Sequence, residues 1–138
     1  MIKEFWLNLP VKDIKKSKAF FSKLGFQFNT KHGNTDTSAS LLMGAKNVVV
    51  MLFEEPTFKG FTNNEIADTT RGTEVLLSID AQSKEEVDQM AQKAIEAGGK
   101  STHKPGEMQG WMYGCVFTDI DGHRWNVLYM DSSKMPQA

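Results

Sequence analysis

Three histidines, one cysteine and a scatter of carboxylates are the residues that could carry acid-base, nucleophilic or metal chemistry in this chain, and their spacing gathers few of them. His32 lies in the turn-forming run His32-Gly33-Asn34, His103 near Pro105-Gly106, and His123 beside Asp121-Gly122. No strand or helix period brings the three together as ligands. Cys115 has no histidine or basic neighbour in sequence to favour a thiolate, so it reads as a buried structural thiol. The stretch Gln109-Gly110-Trp111-Met112-Tyr113-Gly114 sets aromatics between glycines. It fits a loop bending over a binding cleft, or a plain hairpin whose aromatics bury against Phe53 or Phe117. Lys15, Lys16 and Lys18 read as the solvated face of a helix.

The elements that must position these residues follow from periodicity and punctuation. Glu4 to Val11 alternates as a strand ending at Pro10, Asp13 can cap a helix over Ile14 to Leu24, and Gly25 closes it. Phe26 to Thr30, Thr37 to Met43 and Val48 to Phe53 read as strands, separated by His32-Gly33-Asn34 and Gly44-Ala45-Lys46-Asn47. The first module is therefore βαβββ, over about 1–54. Residues 55–71, with Pro56, Gly60 and Thr62-Asn63-Asn64-Glu65, read as a linker with a helical turn.

A second βαβββ module covers 72–132, followed by a short tail, 133–138. Thr73 to Asp80 is its first strand, and Ser83 with Glu86 forms a capping box. Val87, Met90, Ala91, Ala94 and Ile95 keep helical spacing until Gly98-Gly99. Strands over Lys100 to His103, Met112 to Thr118 and Arg124 to Met130 complete it, with turns at Pro105-Gly106 and Asp121-Gly122. Leu9-Pro10-Val11 before the first helix answers Leu77-Ser78-Ile79 before the second, about half a chain later. The expectation is one α+β domain in which two βαβββ modules form a curved mixed sheet around a cleft, with the helices on the convex side.

Bulk properties narrow the partners. A chain of 138 residues, 40% of them apolar, can bury a core without disulfides. Its 16 basic and 17 acidic residues leave a net charge of -1, so no general field draws it to nucleic acid or to an anionic membrane. The start, MIKEFWLNLP, has no long apolar signal region, and Val48 to Phe53 is far too short to span a bilayer at about 20 residues. The expectation is a cytoplasmic protein with a small-molecule partner.

Two segments carry a family resemblance. Leu9-Pro10-Val11-Lys12-Asp13-Ile14 with Ser17-Lys18-Ala19-Phe20-Phe21-Ser22-Lys23-Leu24-Gly25-Phe26 resembles the first-module signature of the glyoxalase / bleomycin-resistance / extradiol-dioxygenase (vicinal oxygen chelate) superfamily. Phe117-Thr118-Asp119-Ile120-Asp121-Gly122-His123-Arg124-Trp125-Asn126-Val127 resembles its closing segment, with Ile120 for the usual proline and Asn126 for the usual glutamate. Members of that family commonly bind a divalent metal with one ligand from the first and last strand of each module. Carried across, the resemblance puts the four positions at Trp6, Met51, Glu74 and Asn126.

An indole cannot ligate, a thioether is a poor ligand for hard or borderline ions, and a lone amide is weak. Only Glu74 would serve, as a metal ligand or as a general acid or base. Its bland alternative is a strand-end carboxylate that reaches solvent or pairs with Arg124. Strand alternation puts Trp6 and Asn8 in the cleft and sends Phe5, Leu7, Leu9 and Val11 toward the helices, with the same split in the other strands. The resemblance thus implies a small-molecule-binding protein with a degenerate metal site and no cofactor. Its cleft would be made from Trp6, Asn8, Met51, Phe53, Glu74, Trp111, Arg124 and Asn126. Sequestering members of the family dimerise, so a homodimer is expected. The alternative is a lyase, isomerase or dioxygenase using Glu74 as base or as ligand to a divalent metal.

Overall fold

In the computed structural model, which describes residues 1–136, Asp13 opens the first helix, α1 (Ile14–Lys23), by accepting hydrogen bonds from the amides of Lys15 and Lys16. Glu54 Oε2 accepts from the Ile14 amide at 3.0 Å. Free helix-start amides are thereby satisfied from two parts of the chain. Gly25, at φ 85°, closes the helix in a conformation that costs glycine nothing.

The chain divides into two compact units, Met1–Asp68 and one from Thr69 onward. In the first, α1 follows β1 (Trp6–Val11) and precedes β2 (Gln27–Phe28), β3 (Ser38–Met43) and β4 (Val48–Glu54). The sheet order is β1-β4-β3-β2, with β1 parallel to β4 and the other pairs antiparallel. The second unit repeats this with β5 (Leu76–Asp80), α3 (Lys84–Glu96), β6 (Lys100–Met108), β7 (Met112–Thr118) and β8 (Arg124–Met130), in the order β5-β8-β7-β6. Both are βαβββ modules of an α+β fold. Their strands hydrogen-bond as two four-stranded mixed sheets, one in each unit.

Each core lies where sheet and helix meet. Leu9, Val11, Phe20, Phe21, Leu41, Val50 and Leu52 are buried in the first unit, and Val87, Ala91, Ala94, Cys115, Phe117, Trp125 and Val127 in the second. Phe117 and Trp125 stack with centroids 6.4 Å apart. Ser83 caps α3 by accepting from the Glu86 amide at 3.2 Å, and the Glu86 carboxylate in turn accepts from the Gln82 amide.

Several boundaries differ from expectation: β2, expected over Phe26 to Thr30, is only Gln27–Phe28, the two residues that pair with β3, and four others have an equally local reason. β1 begins at Trp6 because its ladder begins there, opposite Val49, and Phe5 is left 76% exposed. β5 begins at Leu76 because its partner β8 starts only at Arg124, so residues 73 to 75 have no ladder to join. Residues read as linker contain an eight-residue helix, α2 (Glu55–Thr62), with proline in its first turn and Asn63 closing it at φ 51°. β6 runs straight through Pro105-Gly106 instead of turning. It is an edge strand with register shifts between Ser101 and His103 and between His103 and Gly106, where proline's missing amide is tolerated.

Candidate functional site

Ladder register decides which side chains share a face. In the first unit Asn8, Met51 and Ser40 stand in one row across β1, β4 and β3. Trp6, Val49 and Leu42 form the row on one side of it, and Pro10, Phe53 and Ser38 the row on the other. Successive side chains alternate, so this face lies opposite the one on which Leu9, Leu52 and Ala39 are buried.

Over this face opens a cavity of about 420 Å³. Trp6, Val49, Met51 and Ser40 line it from the sheet. Asn29, His32 and Gly33 line it from the loop joining β2 and β3, Lys46, Asn47 and Val48 from the β3–β4 turn, and Glu4 and Phe5 from the residues before β1. The volume falls in the usual range for small-molecule sites, about 300–1,000 Å³. Most of its sheet wall is aromatic, aliphatic or thioether, while the loop and turn add Asn29, Asn47, His32 and Lys46, and the residues before β1 add Glu4.

Short side-chain to backbone bonds shape the loop over the cavity. Asn29 Oδ1 accepts from the amides of Lys31 and His32, Asn34 Oδ1 accepts from the Ser40 amide at 3.2 Å, and Asn34 Nδ2 donates to the Asn29 carbonyl. Ser38 Oγ donates to the Gly33 carbonyl at 2.8 Å. Gly33, at φ 86°, comes so close to the sheet that an added Cβ would lie 2.8 Å from Ser40 Cβ and 3.2 Å from Met51 Sδ. Only glycine allows this approach without moving sheet or loop.

The expected site residues fall into two groups, one in each unit. In the first, Trp6, 54% exposed, and Met51 both line the cavity. Asn8 shares their face beside Met51, and Phe53 packs edge-on against Phe61 with centroids 5.0 Å apart. In the second, Arg124 and Asn126 share a face of β8. Arg124 Nε donates to Thr73 Oγ1 at 2.7 Å, and Asn126 Nδ2 to Ser78 Oγ at 3.1 Å. Glu74 is an exposed bend residue before β5, and Arg124 pairs with its neighbour Thr73 instead. Trp111 sits in the tight turn between β6 and β7, where Gln109 and Gly110 take φ 55° and 79° and the Trp111 carbonyl accepts from the Asp131 amide. That stretch is a hairpin turn.

Several cavity residues escaped sequence reasoning: Glu4, Phe5, Asn29, His32, Gly33, Ser40, Lys46 and Asn47. One signal was available. Ser40 interrupts the apolar run of β3 on the side opposite Ala39 and Leu41, and a polar residue on a mostly apolar strand face often marks a site. His32 gave no such sign, because only the fold of the loop brings it to the cavity.

The donor set does not fit a divalent cation. Trp6 and Met51 offer no hard donor, Asn126 offers only a neutral amide oxygen, its Nδ2 donating to Ser78, and Glu74 is an exposed carboxylate before β5. No three His, Cys, Asp or Glu side chains among the described residues are close enough to hold a metal ion.

The closing motif has a structural role. Asp119, buried, accepts from the amides of Asp121 and His123 through Oδ1 and from the indole of Trp125 through Oδ2 at 3.0 Å. Burial pushes its carboxyl above the ordinary range, against the opposing pull of the His123 charge and these hydrogen bonds. Cys115 is sealed in the core, and burial raises its thiol to about 11. Tyr113 donates to Asp88 at 2.7 Å, which raises its phenol.

Comparison with known proteins gives the fold a lineage. A search of curated proteins finds no match to the sequence. Solved structures similar to the chain include hypothetical protein SA1046 from S. aureus, 36% identical over 93% of this chain and 94% of that one, with a TM-score of 0.82. A glyoxalase/bleomycin resistance protein/dioxygenase family enzyme from Burkholderia phytofirmans PsJN is 21% identical over 89% and 94%, with a TM-score of 0.74. The genomically encoded fosfomycin resistance protein FosX from Listeria monocytogenes is 18% identical over 100% and 97%, with a TM-score of 0.67, a likeness of fold. The family model for the Glyoxalase/Bleomycin resistance protein/Dioxygenase superfamily matches residues 5–127, and with both βαβββ units in place the chain belongs to that superfamily.

Proposed function

We propose that this chain is a small-molecule-binding protein of its superfamily that works without a metal and takes its ligand on the open sheet face of the first unit. The carrying observation is the cavity lined by Trp6 and Met51, two of the positions where the family resemblance would put metal ligands. With those positions held by an indole and a thioether, the pocket offers van der Waals and stacking surface where a metal site would offer charge. Resistance to small toxic molecules is named both in the superfamily's description and for the FosX neighbour, which supports a ligand-binding reading. Asn8, beside Met51 on the same sheet face, and Phe53 belong to the proposal as further contacts. The catalytic alternative leans on Glu74, one exposed carboxylate outside the strand.

The test is a thermal-shift screen of aromatic and cationic compounds against the whole chain. A ligand present at 100 times its Kd stabilises the folded state by about 2.7 kcal/mol, a readily measured rise in Tm. Compounds that raise the Tm of the wild type should lose most of that effect on Trp6→Ala. A screen with no stabilising compound, or hits indifferent to Trp6→Ala, would sink the reading.

A further inference from the structure

The floor of the first-unit cavity holds one hydrogen-bonding group that the protein does not use. Ser40 is only 2% exposed, yet its hydroxyl has no partner among the described residues, whereas nearby Ser38 spends its hydroxyl on Gly33 and Thr35. The Ser40 backbone is fully engaged, its amide donating to Asn34 Oδ1 and its carbonyl accepting from the Asn29 amide at 2.8 Å. No sealed side-chain nitrogen or oxygen among the described residues lacks a partner, so this hydroxyl reaches the cavity that Ser40 lines. A buried strand rarely keeps a hydroxyl without a bond to make.

From this we infer that Ser40 is the specificity-determining residue of the cavity, reading a hydroxyl or carbonyl on a ligand whose remaining body is planar and apolar. The inference rests on the proposed binding reading and names the ligand class for the same site. The surroundings set the rest of the ligand. Ser40 stands in one row with Met51 and close under Gly33, where an added Cβ would come within 2.8 Å of Ser40 Cβ. Trp6 and Val49, on the next row, give a flat apolar wall. A ligand laid on that wall with one polar substituent over Ser40 satisfies the hydroxyl. A purely apolar ligand leaves it desolvated and unpaired, and that penalty is the source of discrimination.

The experiment uses 2-naphthol and naphthalene as probes, titrated into the ¹⁵N-labelled full chain while the Gly33 amide and the Trp6 indole resonances are followed. Wild type should bind 2-naphthol roughly 3- to 10-fold more tightly than naphthalene, the span of one net hydrogen bond. In Ser40→Ala the ratio should fall to one or invert. Ser40→Cys, nearly the same size but a weak hydrogen-bonding group, should fall in the same direction and serves if the alanine variant folds poorly. Because the hydroxyl makes no bond within the protein, Ser40→Ala should keep the wild-type Tm. A drop of several degrees would assign the hydroxyl a structural role and overturn the inference. Equal affinities in wild type, or an unchanged ratio in both variants, overturn it while leaving the binding reading intact. No saturable shift at Gly33 and Trp6 with either probe overturns both.

Discussion

Asp119 shows how a family motif can be structural at the residue scale. Its two oxygens hold two turn amides and an indole N-H, all near 3 Å, in a site where water is excluded. Asp119→Ala removes three hydrogen bonds to a buried carboxylate at about 1–3 kcal/mol each, so urea unfolding should show a loss of at least about 3 kcal/mol. A loss under about 1 kcal/mol would mean the turn is held by other contacts. Cys115 gives a prediction tied to pH. With its thiol raised to about 11 from 9.0, the neutral form is the one the native state favours. The stability this contributes is present below the unfolded value of 9.0 and lost as pH rises through about 11. A disulfide reagent should therefore fail to label Cys115 in the folded protein at moderately alkaline pH and label it fully in denaturant. Fast labelling of the native chain would contradict the burial.

Among the elements, the β7–β8 connection is the tightest joint of the second unit. Gly122 takes φ 84°, and a Cβ there would collide with Thr69, whose hydroxyl donates to the Asp121 carbonyl at 2.8 Å. Gly122→Ala combines a left-handed backbone with this clash, and its cost should reach at least about 2 kcal/mol in chemical denaturation. Gly44→Ala is the matched control. It has positive φ too, 71°, but open space around it, so it should cost about 1–2 kcal/mol from the backbone alone. Equal losses at both positions would show that Thr69 simply moves aside. The same element logic explains α2. Pro56 in the first turn and Asn63 at the end are start and stop signals, but the helix is only eight residues long, has no side-chain cap to announce it and buries no residue.

For the whole molecule the open question is what covers the apolar side chains that each unit leaves exposed. Trp6 at 54% and Leu76 at 52% lie at the starts of β1 and β5, on faces away from the helices, and Met130 is exposed at the end of β8. We propose that a second copy of the chain covers Leu76 and Met130, leaving Trp6 to the ligand, and light scattering should give a mass near twice 15.5 kDa. A monomer at high micromolar concentration would remove that part of the proposal. Among the described residues no helix is long and apolar enough to cross a membrane.

The local signals in the chain were enough to determine both βαβββ units, because their caps and periods are properties of neighbouring residues. Asp13 with Gly25, Ser83 with Gly98, and the alternation of β1 and β8 needed no distant contact to be read. That an indole offers no donor, and a thioether only a poor one, to a hard ion is likewise a property of the residues themselves. Tertiary structure alone decided the strand ends, which depend on where the partner strand begins, and so it took Glu74 out of β5 and Phe5 out of β1. It also decided the cavity. Asn29, His32 and Gly33 belong to a loop with no period of its own, and its hydrogen bonds to Ser38 and Ser40, made across several residues of chain, fold it back over Met51 and Ser40.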